Sequence, residues 1–119
     1  MMSITLTASS GRIEITLEAV RMGDDLLVKI TGGREHIGAA AVGTSMCGLP
    51  SSSVITIPGH RDDWIAKDAA ERLSRSLDIN TVVVAGVHYD DMAAGEIKES
   101  LRLCDELIGR LVDELCKKE

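Results

Sequence analysis

Phenylalanine is absent from the chain, and tryptophan and tyrosine occur once each. The core must therefore be assembled from Val, Ile, Leu and Ala, and an aromatic platform for stacking nucleic-acid bases has no material. Basic residues are also scarce, 13 against 19 acidic, for a formal charge of −6. That average field repels polyphosphates, so no nucleic-acid partner is expected. Cys47, Cys104 and Cys116 are odd in number and form no Cys-x-x-Cys pattern, which argues against a secreted disulfide framework or a zinc ribbon. No segment approaches the roughly 20 apolar residues that cross a bilayer. The start of the chain, Met1 to Leu6, lacks the basic-then-apolar pattern of a leader, so the expected location is the cytoplasm, with no membrane contact.

What is present suits one globular domain spanning 1–119, with 45% apolar and 27% charged residues. Residues 12–20 alternate, with Ile13, Ile15, Leu17 and Ala19 on one side and Arg12, Glu14, Thr16 and Glu18 on the other, which predicts a half-buried strand. Weaker alternation predicts strands over 3–8 and 26–31, joined to it by turns at Ser9-Ser10-Gly11 and Met22-Gly23-Asp24-Asp25. The small residues of 36–43 predict a fourth strand with room above it. Thr44 to Ser53 is expected to be a long Gly/Pro/Ser loop able to cover a ligand, and 54–57 a fifth strand.

A helix is expected over 62–77, capped by Asp62 or Asp63. The continuous apolar run 81–87 predicts a central strand buried on both faces. From about 93 to 117 a second helix carries Ile97, Leu101, Cys104, Ile108, Leu111 and Leu115 at helical spacing, with Leu103, Leu107 and Val112 widening the stripe. That width suits packing on a sheet with surface left for a second subunit, so a homodimer is expected.

The chemistry-bearing residues gather at predicted strand ends. His36, His60 and His88 each stand near a glycine. A strand–helix–strand crossover places its two strands parallel, so His60 and His88 leave the same end of the sheet. An antiparallel pairing of the fourth and fifth strands brings His36 to that end as well. Glu35, Asp62, Asp63, Asp90 and Asp91 come with them, as do Trp64 and Tyr89. Three imidazoles could hold a divalent transition metal, although no His-x-x-His or His-Glu-x-x-His spacing occurs. The same edge could instead bind a phosphate monoester through the amides of Gly59 to Asp63, Arg61 and the hydroxyls of Ser51, Ser52 and Ser53. Ser53 or Cys47 as a nucleophile has no Gly-x-Ser-x-Gly elbow behind it.

Three strings carry a resemblance: Gly33-Arg34-Glu35-His36-Ile37-Gly38-Ala39, Ser53-Val54-Ile55-Thr56-Ile57-Pro58-Gly59-His60-Arg61-Asp62, and Ala85-Gly86-Val87-His88-Tyr89-Asp90. They resemble the LpdD-like prenylated-flavin chaperones, small proteins associated with prenylated-FMN-dependent decarboxylases such as gallate decarboxylase. The resemblance implies binding of prenylated FMN and its delivery to an apo-decarboxylase, without necessarily catalysing a reaction. It also implies a fold similar to proteasome assembly chaperones: an α+β chain with a mainly antiparallel sheet of about six strands, ordered β-β-β-β-β-α-β-α, and two packed helices, usually as a dimer. Carried over by position, the cofactor-binding residues are His36, Gly38, Ala39, Ser53, Pro58, Gly59, His60, Arg61, His88 and Tyr89. His36, His60 and His88 stand as the metal candidates, and Gly38 to Ala41 as a floor for the flavin ring with Tyr89 or Trp64 covering it. The alternative is a metal-dependent, amidohydrolase-like enzyme using the same three histidines.

Overall fold

The computed structural model describes residues 3–46, 49–57 and 62–116. Pro58, Gly59, His60, Arg61 and Cys47 lie outside them. The elements are β1 (Ser3–Ser10), β2 (Ile13–Met22), β3 (Asp25–Gly33), β4 (Ala39–Met46), β5 (Leu49–Thr56), α1 (Asp63–Leu77), β6 (Thr81–His88) and α2 (Ala94–Cys116). They form one six-stranded sheet in the order β1-β2-β3-β6-β4-β5. Only β3 and β6 run parallel; every other neighbouring pair is antiparallel. The expected α+β class, element order and mainly antiparallel sheet are all found.

Period-2 alternation decides which face of each strand is covered. Ile15 and Leu17 of β2, Val28 and Ile30 of β3, Val83 and Ala85 of β6, and Ala39 and Ala41 of β4 are all fully buried, in one cluster with the inner faces of both helices. Helix α1 packs across β4, β5 and β6, and α2 across β1 and β2. The stripe of α2 is spent within the subunit: Leu103, Cys104, Leu107, Ile108, Leu111 and Leu115 are buried, and Ile97 and Leu101 stay half-exposed. The stripe's width is thus explained by the sheet and gives no evidence of a second subunit.

Three expectations are corrected. The segment Thr44 to Ser53 is not a long loop: β4 and β5 extend through it, paired from Ala39↔Thr56 to Met46↔Leu49. Its proline, Pro50, is tolerated because β5 is an edge strand. Strand β6 is central, but its second face is open, with Val82 and Val84 only partly buried, because both helices lie on the other side. The space above the small residues of β4 is filled by α1: a Cβ added to Gly43 would stand 2.4 Å from the carbonyl oxygen of Ala70.

Candidate functional site

Residues 34–38, between β3 and β4, are zipped onto the end of β6. Arg34 N–H donates to the His88 carbonyl (3.0 Å), Gly38 N–H donates to Ala85 (2.9 Å), and Ile57 N–H donates to Gly38 (2.8 Å). These contacts bring the first and third histidine strings together. The rings of His36 and His88 stand edge to face with centroids 6.4 Å apart. The topological argument therefore holds for these two residues. His60 lies outside the described residues, and so do Pro58, Gly59 and Arg61.

The organising group beneath the rim is Asp62. It sits at the N-terminus of α1, yet its side chain makes no capping bond. It turns inward instead, only 7% exposed: Oδ1 accepts from Val87 N–H (3.0 Å), and Oδ2 lies 3.1 Å from His36 Nε2. The other ring nitrogen, Nδ1, lies 3.1 Å from the Arg34 carbonyl. Both nitrogens of His36 thus face oxygens. Two glycines make this approach possible. A Cβ on Gly38 would stand 1.8 Å from Asp62 Oδ2, and one on Gly86 1.6 Å from the His36 carbonyl oxygen. The capping role expected for Asp62 is overturned, because a buried carboxylate is better satisfied by an amide and an imidazole than by a solvated helix end.

His88 is more exposed, and its Nε2 lies 2.9 Å from Asp90 Oδ1, which also takes a hydrogen bond from Arg34 (3.2 Å). The bond from His88, with help from Arg34, holds the Asp90 carboxyl below its ordinary range. Among the described residues no group of three His, Cys, Asp or Glu side chains is placed to hold a metal ion. The metal expectation for His36, His60 and His88 is not supported: the ring nitrogens named above already face protein oxygens. The metal-dependent enzyme alternative has no ligand set among the described residues either.

The remaining candidates separate. Ala39 lies fully buried under α1, and Gly38 is covered by Asp62, so neither offers a floor for a flavin ring. Ser53 is paired with Val42, three residues along β4 from Ala39, about 10 Å from the rim. Ser51 and Ser53 are exposed on a strand, and Ser52 Oγ is buried without a partner in the described residues, so the serine phosphate loop is not formed. The Tyr89 hydroxyl accepts from Glu14 N–H (2.8 Å) and donates to the Glu14 carbonyl (2.7 Å), extending the ladder at the end of β2. Its ring lies beneath the Arg12 guanidinium, 5.9 Å from centroid to cation. Trp64, 70% exposed, lines a groove between α1 and α2 with Leu101 and Cys104, so it is not part of the histidine rim.

Two hollows on the open sheet face adjoin the rim. The larger, about 650 Å³, is walled by Arg12, Glu14, Glu18, Gly33 and Tyr89. The smaller, about 290 Å³, is bounded by His36, Ile37 and Val84. Lys29, Thr31 and Glu35 line both. Glu35 was expected at this edge, but the part of Lys29 and Thr31 was not foreseen; their only sequence signal was a polar alternation on β3, facing Glu18 and Thr16 on β2. Lys29 Nζ lies 3.0 Å from Glu18 and 3.4 Å from Glu35.

The architecture, a six-stranded sheet with both helices on one face, is also found in a solved structure. The chain superposes on a protein from the crystal structure of a chaperone complex for yeast 20S proteasome assembly with a TM-score of 0.64, over 97% of this chain and 99% of that one, at 12% identity. At that identity the likeness concerns the fold alone. Residues 9–116 match the prenylated flavin chaperone LpdD-like domain, and the chain belongs to that family. It is 24% identical to protein LpdD of Lactiplantibacillus plantarum, over 97% of this chain and 85% of that protein. Family membership supports a chaperone role for prenylated flavin. No helix among the described residues is long and apolar enough to cross a membrane.

Proposed function

We propose that this protein binds prenylated FMN at the His36–His88 rim and hands it to a prenylated-FMN-dependent apo-decarboxylase in the cytoplasm. The observation that carries the reading is the pairing of these two imidazoles, 6.4 Å apart, with His36 bounding the smaller open-face hollow. The larger hollow, about 650 Å³, falls within the range of small-molecule and cofactor sites. In this reading the phosphate lies in the smaller hollow beside His36, and His60 and Arg61, which belong to the same family strings, add donors. The ring system lies along the larger hollow, beside Arg12 and Tyr89. With Tyr89 fixed by Glu14, one face of the ring stays uncovered. A carrier benefits from that openness, since transfer runs downhill only when the client binds more tightly.

The test is anaerobic gel filtration of the protein mixed with reduced prenylated FMN, followed by addition of an apo-decarboxylase. Pigment is expected to co-elute with the protein and to activate the client faster than free cofactor does. His88→Ala should weaken binding roughly 10-fold, the loss of about one charge-assisted hydrogen bond from its second ring nitrogen, and His36→Ala should weaken it by releasing the 34–38 segment that borders the smaller hollow. Pigment eluting wholly with small molecules overturns the reading.

A further inference from the structure

The two hollows are divided by three side chains they share, Lys29, Thr31 and Glu35. Lys29 and Thr31 belong to β3, whose ladder to β2 and β6 holds them in place. Glu35 does not belong to a strand. It stands in the 34–38 connection, which is fastened on either side by Arg34 N–H to His88 and by Gly38 N–H to Ala85, so its side chain can swing without moving the backbone. Its carboxylate reaches back to the two β3 residues. A hydrogen bond from Thr31, then Lys29, holds the Glu35 carboxyl below its ordinary range. The Glu35 side chain is 61% exposed, so water readily replaces what it gives up on leaving.

We infer that Glu35 is an internal stand-in for an oxyanion of the ligand: Lys29 Nζ and the Thr31 hydroxyl form an anion seat that the Glu35 carboxylate fills until a phosphate displaces it. The charges around the two hollows favour such an exchange. Glu14, Glu18 and Glu35 outnumber Arg12 and Lys29 around the larger hollow, and in the smaller one Glu35 cancels Lys29, so a phosphate arriving beside Glu35 finds no net attraction in either. With Glu35 swung out, the count is even, Lys29 is left one carboxylate short, and the partition between the hollows opens. The seat faces the same small hollow as His36, so a single phosphate can contact both. A resident competitor also weakens binding by a fixed factor, which suits a protein that has to release its cargo.

The seat itself does not depend on the ligand being a flavin, and the experiment separates the two. Inorganic phosphate is titrated into ¹⁵N-labelled wild type, Glu35→Gln and Lys29→Met, following the amides of Lys29, Thr31 and Glu35. Glu35→Gln is expected to bind phosphate about threefold more tightly than wild type, and Lys29→Met to show no saturable shift at these amides. Equal response of all three proteins overturns the seat. Reduced prenylated FMN is then titrated into the same set, where Glu35→Gln should bind about threefold more tightly and pass pigment to apo-decarboxylase more slowly. Phosphate exchange at Thr31 with no flavin binding by any of the proteins keeps the seat and removes the flavin reading. Flavin binding that is unchanged in both variants removes the seat and keeps the carrier.

Discussion

The two faces of the sheet obey different rules. On the covered face the rows are Leu, Ile, Val and Ala, and each side chain is determined by what packs against it. On the open face, the row Glu18, Lys29, Val84, Ala40 and Ile55 crosses five strands and mixes charge with apolar surface. Stability resides on the first face and the candidate chemistry on the second. The rim of His36, Asp62 and His88 joins them: Asp62 is anchored at the start of α1, and its contacts fix the direction of a ring at the edge of the open side.

This division can be broken by substitution, in descending order of effect. Leu107→Ala, on the covered side, is expected to cost about 3 kcal/mol in urea unfolding, because a fully buried leucine leaves a cavity. Gly86→Ala should cost about 2 kcal/mol, since the methyl group meets the His36 carbonyl oxygen, and the amide spectrum of residues 34–38 should shift with it. Asp62→Ala should cost about 1.5 kcal/mol by leaving Val87 N–H unpaired, and NMR should show the His36 ring losing its fixed orientation. A loss as small for Leu107→Ala as for open-face changes would dissolve the contrast.

A fourth prediction concerns pH. Glu96 accepts from Arg12 (2.7 Å) and from Ala93 N–H (3.1 Å), and these bonds, Arg12 first, lower its carboxyl to about 2. A lowered folded-state pKa contributes stability that is complete above the unfolded value near 4.5 and is lost as pH falls toward about 2. Wild type should therefore melt above Glu96→Gln at pH 6, and the two curves should converge by about pH 2. A gap that stays constant over this range would remove the ion pair from the account. The smallest effect belongs to the open face: Val42→Thr, at a half-exposed strand position, should change stability by no more than about 0.5 kcal/mol in the same urea assay.

Much of this was legible in the residues. The alternation of Ile13, Ile15, Leu17 and Ala19 marked a strand and its buried side, and all four are buried. The run from Thr81 to Val87 marked the central strand. Connectivity rules alone brought His36 and His88 to one rim. The antiparallel pairing of β4 and β5 was expected, but their extension through 44–53 was missed because Ser51 and Ser53 face solvent and Gly43 faces α1, so the segment shows no apolar alternation to betray a strand. Asp62 was read as a cap because its position before a helix is where carboxylates usually cap, and its true partners, Val87 and His36, are 25 and 26 residues away.

The chain's order of residues, by itself, determined the succession of elements and the apolar side of each, because hydrophobic periodicity is a local property set by the geometry of strand and helix. Only the tertiary structure decided that β6 enters between β3 and β4, that Asp62 turns inward, and that Lys29, Thr31 and Glu35 meet between two hollows. Those are contacts between residues distant along the chain, and close packing of Gly38 and Gly86 against their neighbours, not any local pattern, makes room for the rim they border.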